Sequence, residues 1–430
     1  MDRRSGPRPV VRTLTLTLAL VVVLVAVLVA CSSEEGETTS GPMAPADAGT
    51  PGLRVDALSR AADGWAVPDP LPAGEPGQVI AVGATAPSEE FEGALRTDLL
   101  YHSTDRTGAD RPVSGTLIVP AGDPPEGGWP VLSWAHGTSG VADPCAPSLH
   151  PNLFYNEYAQ QVRWFLEAGY AVAASDFVGL GTPGMHSYSV GEDLGNAVAD
   201  IVPAARSLNA DLAPTWFAIG HSEGGQAALF ATRAAARHPD LDLAATVAIA
   251  PSSNLQLALP GIALGAVPAD VAYGVYFLAG LSTVDESIDV GALLGSAARP
   301  HLDLLLESGC LLDALDVLRD EPAGDLFAMP DAEMQRLSRL LAEVGDPDLE
   351  PREGPLLVVQ GSEDQDVPQF LTDDLVASLE DQGVDLTYRL YAGEGHDTVL
   401  GPSVCETLAW LAEQGGPEPT ACVPAATDLS

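Results

Sequence analysis

The chain contains no lysine: all 19 of its basic residues are arginines, and they stand against 60 acidic residues. The formal net charge at pH 7 is therefore −41. Nucleic acids and anionic membrane surfaces are bound by clustered basic side chains, so this charge balance argues against both kinds of partner. Because the acidic residues are spread along the chain rather than gathered in one tail, we interpret them mainly as a solubility device.

Cysteine is also scarce, with five residues in 430. No Cys-x-x-Cys pair or histidine cluster occurs, so the sequence predicts no metal site. Setting Cys31 apart leaves Cys145, Cys310, Cys405 and Cys422, an even number that indicates two disulfides in an exported protein. Three connectivities are possible. The short separation of Cys405 from Cys422 favours that pair, which leaves Cys145 with Cys310.

The N-terminus has the layout of a secretory signal, in which arginines precede an apolar run from Leu14 to Ala30. The run ends in Leu28-Val29-Ala30-Cys31, which resembles the lipobox of bacterial lipoproteins. That resemblance implies cleavage before Cys31 and a diacylglycerol on its thiol, an anchor that two acyl chains make stable. An uncleaved membrane helix is the alternative, because the run is nearly long enough to span a bilayer.

These features predict a lipoprotein signal peptide over residues 1–30 and a flexible tether over residues 31–75. The tether is rich in Ser, Glu, Gly, Thr, Pro and Ala and has no apolar periodicity. A tether between a lipid anchor and a globular body suits a protein that is held at the outer surface of the cell membrane. We therefore expect an extracytoplasmic protein, anchored as a lipoprotein or secreted.

Beyond the tether, short β-rich runs alternate with amphipathic helical stretches over residues 76–254 and again over 351–425. This alternation predicts an α/β fold with a mostly parallel central sheet covered on both faces. Residues 255–350 are rich in Leu and Ala and show no convincing strand. We interpret them as several helices, one of them over Val290–Leu318, that form a cap inserted into the core.

A nucleophile is indicated by the pentapeptide Gly220-His221-Ser222-Glu223-Gly224. It follows an apolar strand and precedes a helical stretch. In that context the motif places a serine on a sharp strand-to-helix turn, where the flanking glycines leave room and the helix N-terminus faces a developing oxyanion. Ser222 is therefore the predicted nucleophile. His221 is expected to support the turn rather than to act as the base.

A serine hydroxyl needs a base that a carboxylate orients, and on such a scaffold the acid and then the base follow the nucleophile. Three histidines follow Ser222: His238, His301 and His396. His396 lies in a Gly-rich loop just after a predicted strand, where the base should stand. His238 ends a surface helix and His301 falls in the predicted cap, so we choose His396.

The acid should lie in the loop after the preceding strand. That loop contains Glu363, Asp364 and Asp366. We predict Asp364 as the acid and keep Asp366 and Glu363 as alternatives. The non-catalytic alternative is that these side chains only cap the following helix.

Two backbone N–H groups should bind the oxyanion. One is the amide of Glu223, the residue after the nucleophile. The other should come from the loop that follows the predicted strand Pro130–Ser133, where Thr138 or Gly137 is the donor. His136 in the same loop is expected to support it by hydrogen bonding.

Taken together, these motifs resemble the secretory lipase family of α/β-hydrolases. The likeness spans about residues 76–425 and is carried by four segments: Trp134–Thr138, Asp143–Ser148, Asp176 with Gly179–Gly184, and Gly220–Gly225. It implies an α/β-hydrolase fold with a helical cap, hydrolysis of carboxylic esters, often of fatty acids, and no cofactor. The family often has Gln where this chain has Glu223, and a carboxylate there would disfavour anionic substrates.

The sequence thus predicts a serine carboxylic ester hydrolase, a lipase or esterase that works through a covalent acyl-enzyme. Its partners would be a small-molecule or lipid ester and, through the N-terminal anchor, a membrane. Two alternatives stay open: a serine peptidase or amidase on the same scaffold, and a surface lipoprotein without catalysis.

Overall fold

A computed structural model of the chain describes residues 60–61, 64–265, 271–347 and 354–419. The predicted signal peptide, Cys31, most of the predicted tether and Cys422 lie outside these residues.

One large sheet forms the centre of the described chain. Its strands are β1 Val79–Val82, β2 Leu95–Thr104, β3 Asp110–Val119, β4 Trp129–Ala135, β5 Ala171–Ser175, β6 Leu212–His221, β7 Asp242–Ile249, β8 Leu356–Gly361 and β9 Leu386–Tyr391. Their spatial order is β9-β8-β7-β6-β4-β5-β3-β2-β1, and the two-residue strand Ala86–Pro87 pairs with β2. A separate two-stranded pair joins Arg60–Ala61 to Gly64–Trp65.

Six strands, β4 to β9, run parallel to one another. Strands β1, β2 and β3 are antiparallel to their neighbours and extend the sheet at one edge. The mostly parallel sheet is confirmed. Strands such as β5, with the sequence Ala-Val-Ala-Ala-Ser, are buried along their whole length because helices cover both faces.

Helices cover both faces of the sheet. The core helices are α1 Asn156–Glu167, α2 Gly191–Leu208, α3 Glu223–Ala234, α9 Gln369–Asp381 and α10 Leu400–Glu413. Side chains of β8 alternate between the two faces: Leu356 and Val358 pack with α9, whereas Leu357 and Val359 pack in the cluster of α1 and α10. The helices α2 and α3 lie together in a third apolar cluster.

In the described parts of the stretch between β7 and β8, five further helices share an apolar cluster of their own; we call them the cap helices. They are α4 Ala258–Ala263, α5 Val271–Val284, α6 Val290–Leu293, α7 Leu311–Leu318 and α8 Asp331–Gly345. Among the described residues, no helix combines the length and the apolar character that crossing a membrane requires.

The single helix predicted over Val290–Leu318 is wrong. The helix α6 ends at Leu293, and α7 begins only at Leu311, after a short 3₁₀ turn and a π-turn. The break begins at Gly295, whose N–H donates to the carbonyl oxygen of Leu326 at 2.7 Å rather than to a carbonyl oxygen of α6. Further along, Pro300 cannot donate a helical hydrogen bond.

A disulfide joins Cys145 to Cys310, as predicted, with 5.5 Å between the two Cα atoms. It links the segment after β4 to the start of α7. Beside it, the N–H of Leu311 donates to the carbonyl oxygen of Ser139 at 2.8 Å. Cys405 is also disulfide-bonded, and Cys422, the partner predicted for it, lies outside the described residues.

Candidate active site

Ser222 stands alone between a strand and a helix. The strand β6 ends at His221 and α3 begins at Glu223. The backbone of Ser222 has φ 60° and ψ −120°, a strained conformation for a residue with a side chain. Its N–H donates to the carbonyl oxygen of Ile249 at 2.9 Å, which holds the turn against β7. The predicted sharp turn is therefore present.

The two glycines that flank this turn are required by its tightness. A Cβ at Gly220 would lie 2.1 Å from the carbonyl oxygen of Gly224, and one at Gly224 would lie 2.0 Å from that of Ala135. Contacts this short do not occur, so a side chain at either position would displace backbone. Gly224 thus lets α3 start directly against the end of β4.

Asp364 follows β8 and His396 follows β9. Their side chains form a hydrogen bond, with 2.8 Å between Asp364 Oδ2 and His396 Nδ1. The Asp364 side chain is fully buried and that of His396 is 8% exposed. The other carboxylate oxygen, Oδ1, accepts the backbone N–H groups of Asp366 at 2.9 Å and Val367 at 2.8 Å. Gln360 Nε2 donates to Oδ2 at 3.0 Å. Of the three acids considered, Asp364 forms this contact with the histidine.

The surroundings of His396 favour its protonated form. Burial by itself lowers the pKa of the imidazole. The hydrogen bond and charge of Asp364, together with the charges of Asp366 and Asp397, raise the pKa by more, so that the net shift is upward. An imidazole in such a setting binds a proton readily, which is what a general base must do.

His221 connects the loop of His396 to the loop after β4. Its Nε2 donates to the carbonyl oxygen of His396 at 3.0 Å, and its Nδ1 accepts from the Tyr158 hydroxyl at 3.0 Å. That hydroxyl in turn accepts the N–H of Gly137 at 3.0 Å. Burial, and then the proximity of His396, hold the pKa of His221 well below its ordinary value. His221 is therefore a neutral hydrogen-bonding support for the turn that carries Ser222.

Ser222 Oγ and His396 Nε2 are not joined by a hydrogen bond in the described part of the chain. Such contacts are often long in the absence of substrate. The rings of His396 and His221 lie 4.5 Å apart between centroids, which puts the imidazole beside the residue that precedes Ser222.

The loop after β4 lies against the nucleophile. A Cβ built on Gly137 would be 3.1 Å from Ser222 Cβ. The N–H of Gly137 already donates to Tyr158, which favours Thr138 as the oxyanion donor of the two considered. Within the described residues, the N–H groups of Thr138 and Glu223 have no hydrogen-bond acceptor. His136 supports the loop through Nδ1, which donates to the carbonyl oxygen of Gly137 at 2.7 Å.

The Glu223 side chain turns away from this loop and contacts His186, at 3.1 Å between Oε1 and Nε2. His186 Nδ1 lies 2.9 Å from the carbonyl oxygen of Val178, which can only accept, so Nδ1 carries a proton. The contact with Glu223 must therefore hold a second proton, and the pair is neutral overall. The expectation that a carboxylate at this position disfavours anionic substrates stays a prediction.

A cavity of about 380 Å³ opens at Ser222. Its walls come from the cap helices α4 and α5, the segment after β7 and the segment after β8, and they are mostly apolar. Leu257, Leu264 and Phe370 line it and are partly open to solvent, with 48%, 83% and 56% of their surfaces exposed. The cavity can therefore receive an apolar group next to the nucleophile.

Asp176 and the Gly179–Gly184 segment belong to the structural framework around the site. Asp176 is 1% exposed, accepts the Ser114 hydroxyl at 2.7 Å and accepts the N–H of Ser148 at 2.7 Å. Neither Asp176 nor the glycine segment lines the cavity at Ser222.

One set of described residues has metal-ligating atoms close together: His221, His396 and Asp397, within 4.8 Å of one another. Both nitrogens of His221 are already engaged, by Tyr158 and by the carbonyl oxygen of His396. His396 Nδ1 is engaged by Asp364. This set is thus better explained as a hydrogen-bond network than as a metal centre.

Comparison with known proteins gives matches in structure only. No family model and no curated protein matches the chain. Candida antarctica lipase A in its closed state matches with a TM-score of 0.66 at 18% identity, over 82% of this chain and 86% of that chain. The ligand-bound rice cell wall degrading esterase LipA from Xanthomonas oryzae matches with a TM-score of 0.60 at 18% identity, over 80% and 96%.

A Legionella pneumophila protein that is described as a putative hydrolase matches with a TM-score of 0.62 at 19% identity, over 75% of this chain and 89% of that chain. The fold is that of the α/β-hydrolases. At these identities the similarity shows the fold alone, and the chemistry has to be argued from the residues of this chain.

Sequence reasoning missed three residues around the site: Tyr158, His186 and Tyr188. Tyr158 and Tyr188 reach the loop after β4 through their hydroxyls, and His186 pairs with Glu223. None of them belongs to a local motif. Only the fold brings them to the nucleophile, so no pattern in the sequence pointed to them.

Proposed function

We propose that this α/β-hydrolase is a serine hydrolase of carboxylic esters, with Ser222 as nucleophile, His396 as base and Asp364 as the acid. One observation carries the proposal: the buried contact between Asp364 and His396 is tied through His221 to the strained turn of Ser222. Nucleophile, base and orienting acid are the parts that acyl transfer requires.

In the proposed reaction, Ser222 Oγ bonds to the ester carbonyl carbon while its proton passes to His396 Nε2. The carbonyl oxygen becomes an oxyanion and accepts the N–H groups of Thr138 and Glu223, each contributing about 3–4 kcal/mol. His396 then gives the proton to the departing alcohol, which leaves an acyl-enzyme. Water repeats the sequence with His396 as base and releases the acid.

An ester with an apolar acyl chain is the substrate class that the cavity at Ser222 supports. Its walls are mostly apolar, and the structural neighbours include proteins named as a lipase and an esterase. We therefore propose a lipase or esterase of acyl esters, acting on small-molecule or lipid esters without a cofactor.

Hydrolysis of nitrophenyl esters from acetate to palmitate, by wild type and Ser222→Ala, tests this proposal. We expect turnover by the wild type, with a preference for chains longer than acetate, and at least about a 10³-fold loss in Ser222→Ala. An aminoacyl nitroanilide in parallel separates ester from amide hydrolysis. Turnover of the anilide but not of the esters would replace the proposal by a peptidase or amidase, and no turnover of either would leave a binding protein.

We also propose that the protein is exported and anchored to the cell membrane through Cys31, with residues 1–30 removed and residues 31–75 as a tether. Residues 76–254 and 351–425 would form the core and 255–350 the cap. The disulfide between Cys145 and Cys310 supports an oxidising compartment. On detergent phase separation we expect the wild type in the detergent phase and Cys31→Ser in the aqueous phase. Partition of both into one phase would contradict the anchor.

A further inference from the structure

Glu223 supplies only its backbone N–H to the proposed reaction, yet its side chain is 1% exposed and that of its partner His186 is fully buried. Burying a carboxyl group is unfavourable unless a partner compensates it. Glu223 follows Ser222 in the sequence, and His186 contacts the Glu223 side chain. Their contact is not used by any step of the mechanism.

The imidazole of His186 and the carboxyl group of Glu223 share one proton in their contact, so the pair carries no net charge. Burial lowers the pKa of His186, but the charge of Glu223 and the hydrogen bond to it raise that pKa by more. Among the described residues, the ionisable groups that interact with the pair include Asp193 on α2, His136 in the loop after β4 and Tyr158 on α1. The pair therefore offers a hydrogen bond behind the oxyanion without a net negative charge there.

The segment 186–189 contacts both predicted oxyanion donors. His186 binds the side chain of Glu223, and the N–H of Ser189 points to the same carboxyl oxygen at 3.5 Å. Between them, the Tyr188 hydroxyl lies 2.8 Å from Thr138 Oγ1. Gln226, one turn along α3, donates to the carbonyl oxygen of Ser189 at 3.2 Å.

The backbone of this segment is strained and therefore needs such contacts. Ser189 has φ 56°, a left-handed conformation that residues with a side chain rarely adopt. Tyr188 also packs between the segment and the cap, edge-on to Tyr276 and tilted against Phe277. The strained conformation of the segment 186–189 therefore depends on the hydrogen bonds that the segment makes to Glu223 and Thr138.

We propose that His186 and Glu223 are positioning residues for the oxyanion hole. Their hydrogen bond fixes the segment 186–189, and Tyr188 in that segment sets the position of Thr138 relative to the Glu223 amide. The inference rests on the proposed ester hydrolysis. It assigns to the Glu223 side chain a role that its place after the nucleophile does not explain.

Variants of the pair test this inference. Glu223→Leu and His186→Leu should each lower kcat by about 10- to 100-fold with KM changed less than about threefold, because a displaced donor weakens transition-state binding more than substrate binding. The affinity for a trifluoromethyl ketone, which Ser222 converts to a tetrahedral adduct, should fall in parallel. Glu223→Gln should keep kcat within about threefold of the wild type, because its amide donates to His186 Nε2 and preserves a neutral hydrogen bond.

The chain offers a matched control in His238, whose Nε2 contacts the buried carboxylate of Asp200 at 2.7 Å. His238→Leu removes a histidine from a buried carboxylate as His186→Leu does, although Asp200 keeps Arg237 and Ser103 as partners. By calorimetry, we expect the melting temperature to fall in both variants and to fall less in His238→Leu. We expect wild-type kcat and wild-type inhibitor affinity in His238→Leu, and losses of both in His186→Leu.

Three results would overturn the inference while the wild type remains an active esterase. They are unchanged kcat and inhibitor affinity in Glu223→Leu, a loss in Glu223→Gln as large as that in Glu223→Leu, and an equal loss of kcat in His238→Leu. An inactive wild type would instead overturn the proposed function, and this inference with it.

Discussion

At the scale of single residues, Asp364 is held by three donors besides the histidine. Two backbone N–H groups, from Asp366 and Val367, bind one carboxylate oxygen, and Gln360 binds the other. The carboxylate cannot rotate without losing several of these bonds. It therefore presents a fixed acceptor to His396 Nδ1 and keeps the proton there, so that Nε2 is free to take the proton of Ser222.

Asp364→Asn should lower kcat by about 10³- to 10⁴-fold. The two backbone donors require oxygen at their side of the group, so the amide nitrogen would face His396 and force the proton onto Nε2. Turnover of a nitrophenyl ester, with circular dichroism to check folding, measures this effect. Glu363→Gln and Asp366→Asn, at the two alternative acids, should lose less than about tenfold. A loss at either as large as at Asp364 would contradict the assignment.

The pH dependence of kcat/KM should report His396. Neutral imidazole is the base, and the pKa of His396 is raised, so activity should fall as pH falls through a midpoint above about 6.5. Asp397→Asn removes one of the negative charges that raise this pKa and should move the midpoint to lower pH. A midpoint below 6.5 that Asp397→Asn leaves in place would show that another group controls the rate.

The position of a site residue could be predicted from the sequence where a local pattern determines it, and could not where only the path of a loop does. Ser222, Asp364 and His396 each follow a strand, and parallel strands bring their carboxyl ends to one edge of the sheet, so local patterns were sufficient to predict that these residues lie at the same edge. The contact between His186 and Glu223 joins residues 37 positions apart. It depends on the path of an irregular loop, which no periodicity encodes.

At the scale of elements, the turn between β6 and α3 depends on close approach of backbones. Gly224→Ala would push α3 from the end of β4, which carries the oxyanion loop. We expect a loss of about 1–3 kcal/mol in the free energy of unfolding, together with a large loss of kcat. Urea denaturation and ester turnover measure the two effects.

Gly401, in α10, is the matched control, because a Cβ there would have no atom within 4 Å. Gly401→Ala should leave kcat unchanged and stabilise the protein by about 0.4–1 kcal/mol. Equal behaviour of the two variants would mean that the turn at Ser222 tolerates a side chain.

The strands and most helices of the core were predictable because each has a clear period and clear ends. The continuous helix expected over Val290–Leu318 was not, since its Leu-rich composition favours a helix wherever tertiary contacts allow one. The hydrogen bond from the N–H of Gly295 to the carbonyl oxygen of Leu326 is a tertiary contact that overrides that preference. Composition indicated the helical character of the cap but could not give the positions of its breaks.

At the scale of the whole molecule, one disulfide ties the cap helices to the active-site side of the core. Cys145 and Cys310 are 165 residues apart in sequence, so the bond closes a long loop. The contact of Leu311 with Ser139 lies beside it, next to the predicted oxyanion donor Thr138. The disulfide therefore restricts the conformations of the unfolded chain and, in the folded protein, the position of α7.

Replacing both cysteines by alanine should lower the free energy of unfolding by up to about 5 kcal/mol, because a closed loop of this length restricts the unfolded chain strongly. Denaturant unfolding measures the change. The reduced wild type should be destabilised at least as much as the double variant, because a reductant also opens the disulfide of Cys405. Unchanged stability in both samples would mean that the bond does not constrain the unfolded chain.

The central claim is that Ser222 is a nucleophile activated by His396. Labelling with a fluorophosphonate, followed by mass spectrometry of the peptides, tests it most directly, because that reaction needs an activated hydroxyl and no knowledge of the natural substrate. We predict one adduct, on Ser222, in the wild type, a rate reduced by at least about 10³-fold in His396→Gln, and no adduct in Ser222→Ala. An unlabelled wild type, or a label at the same rate in His396→Gln, would contradict the account.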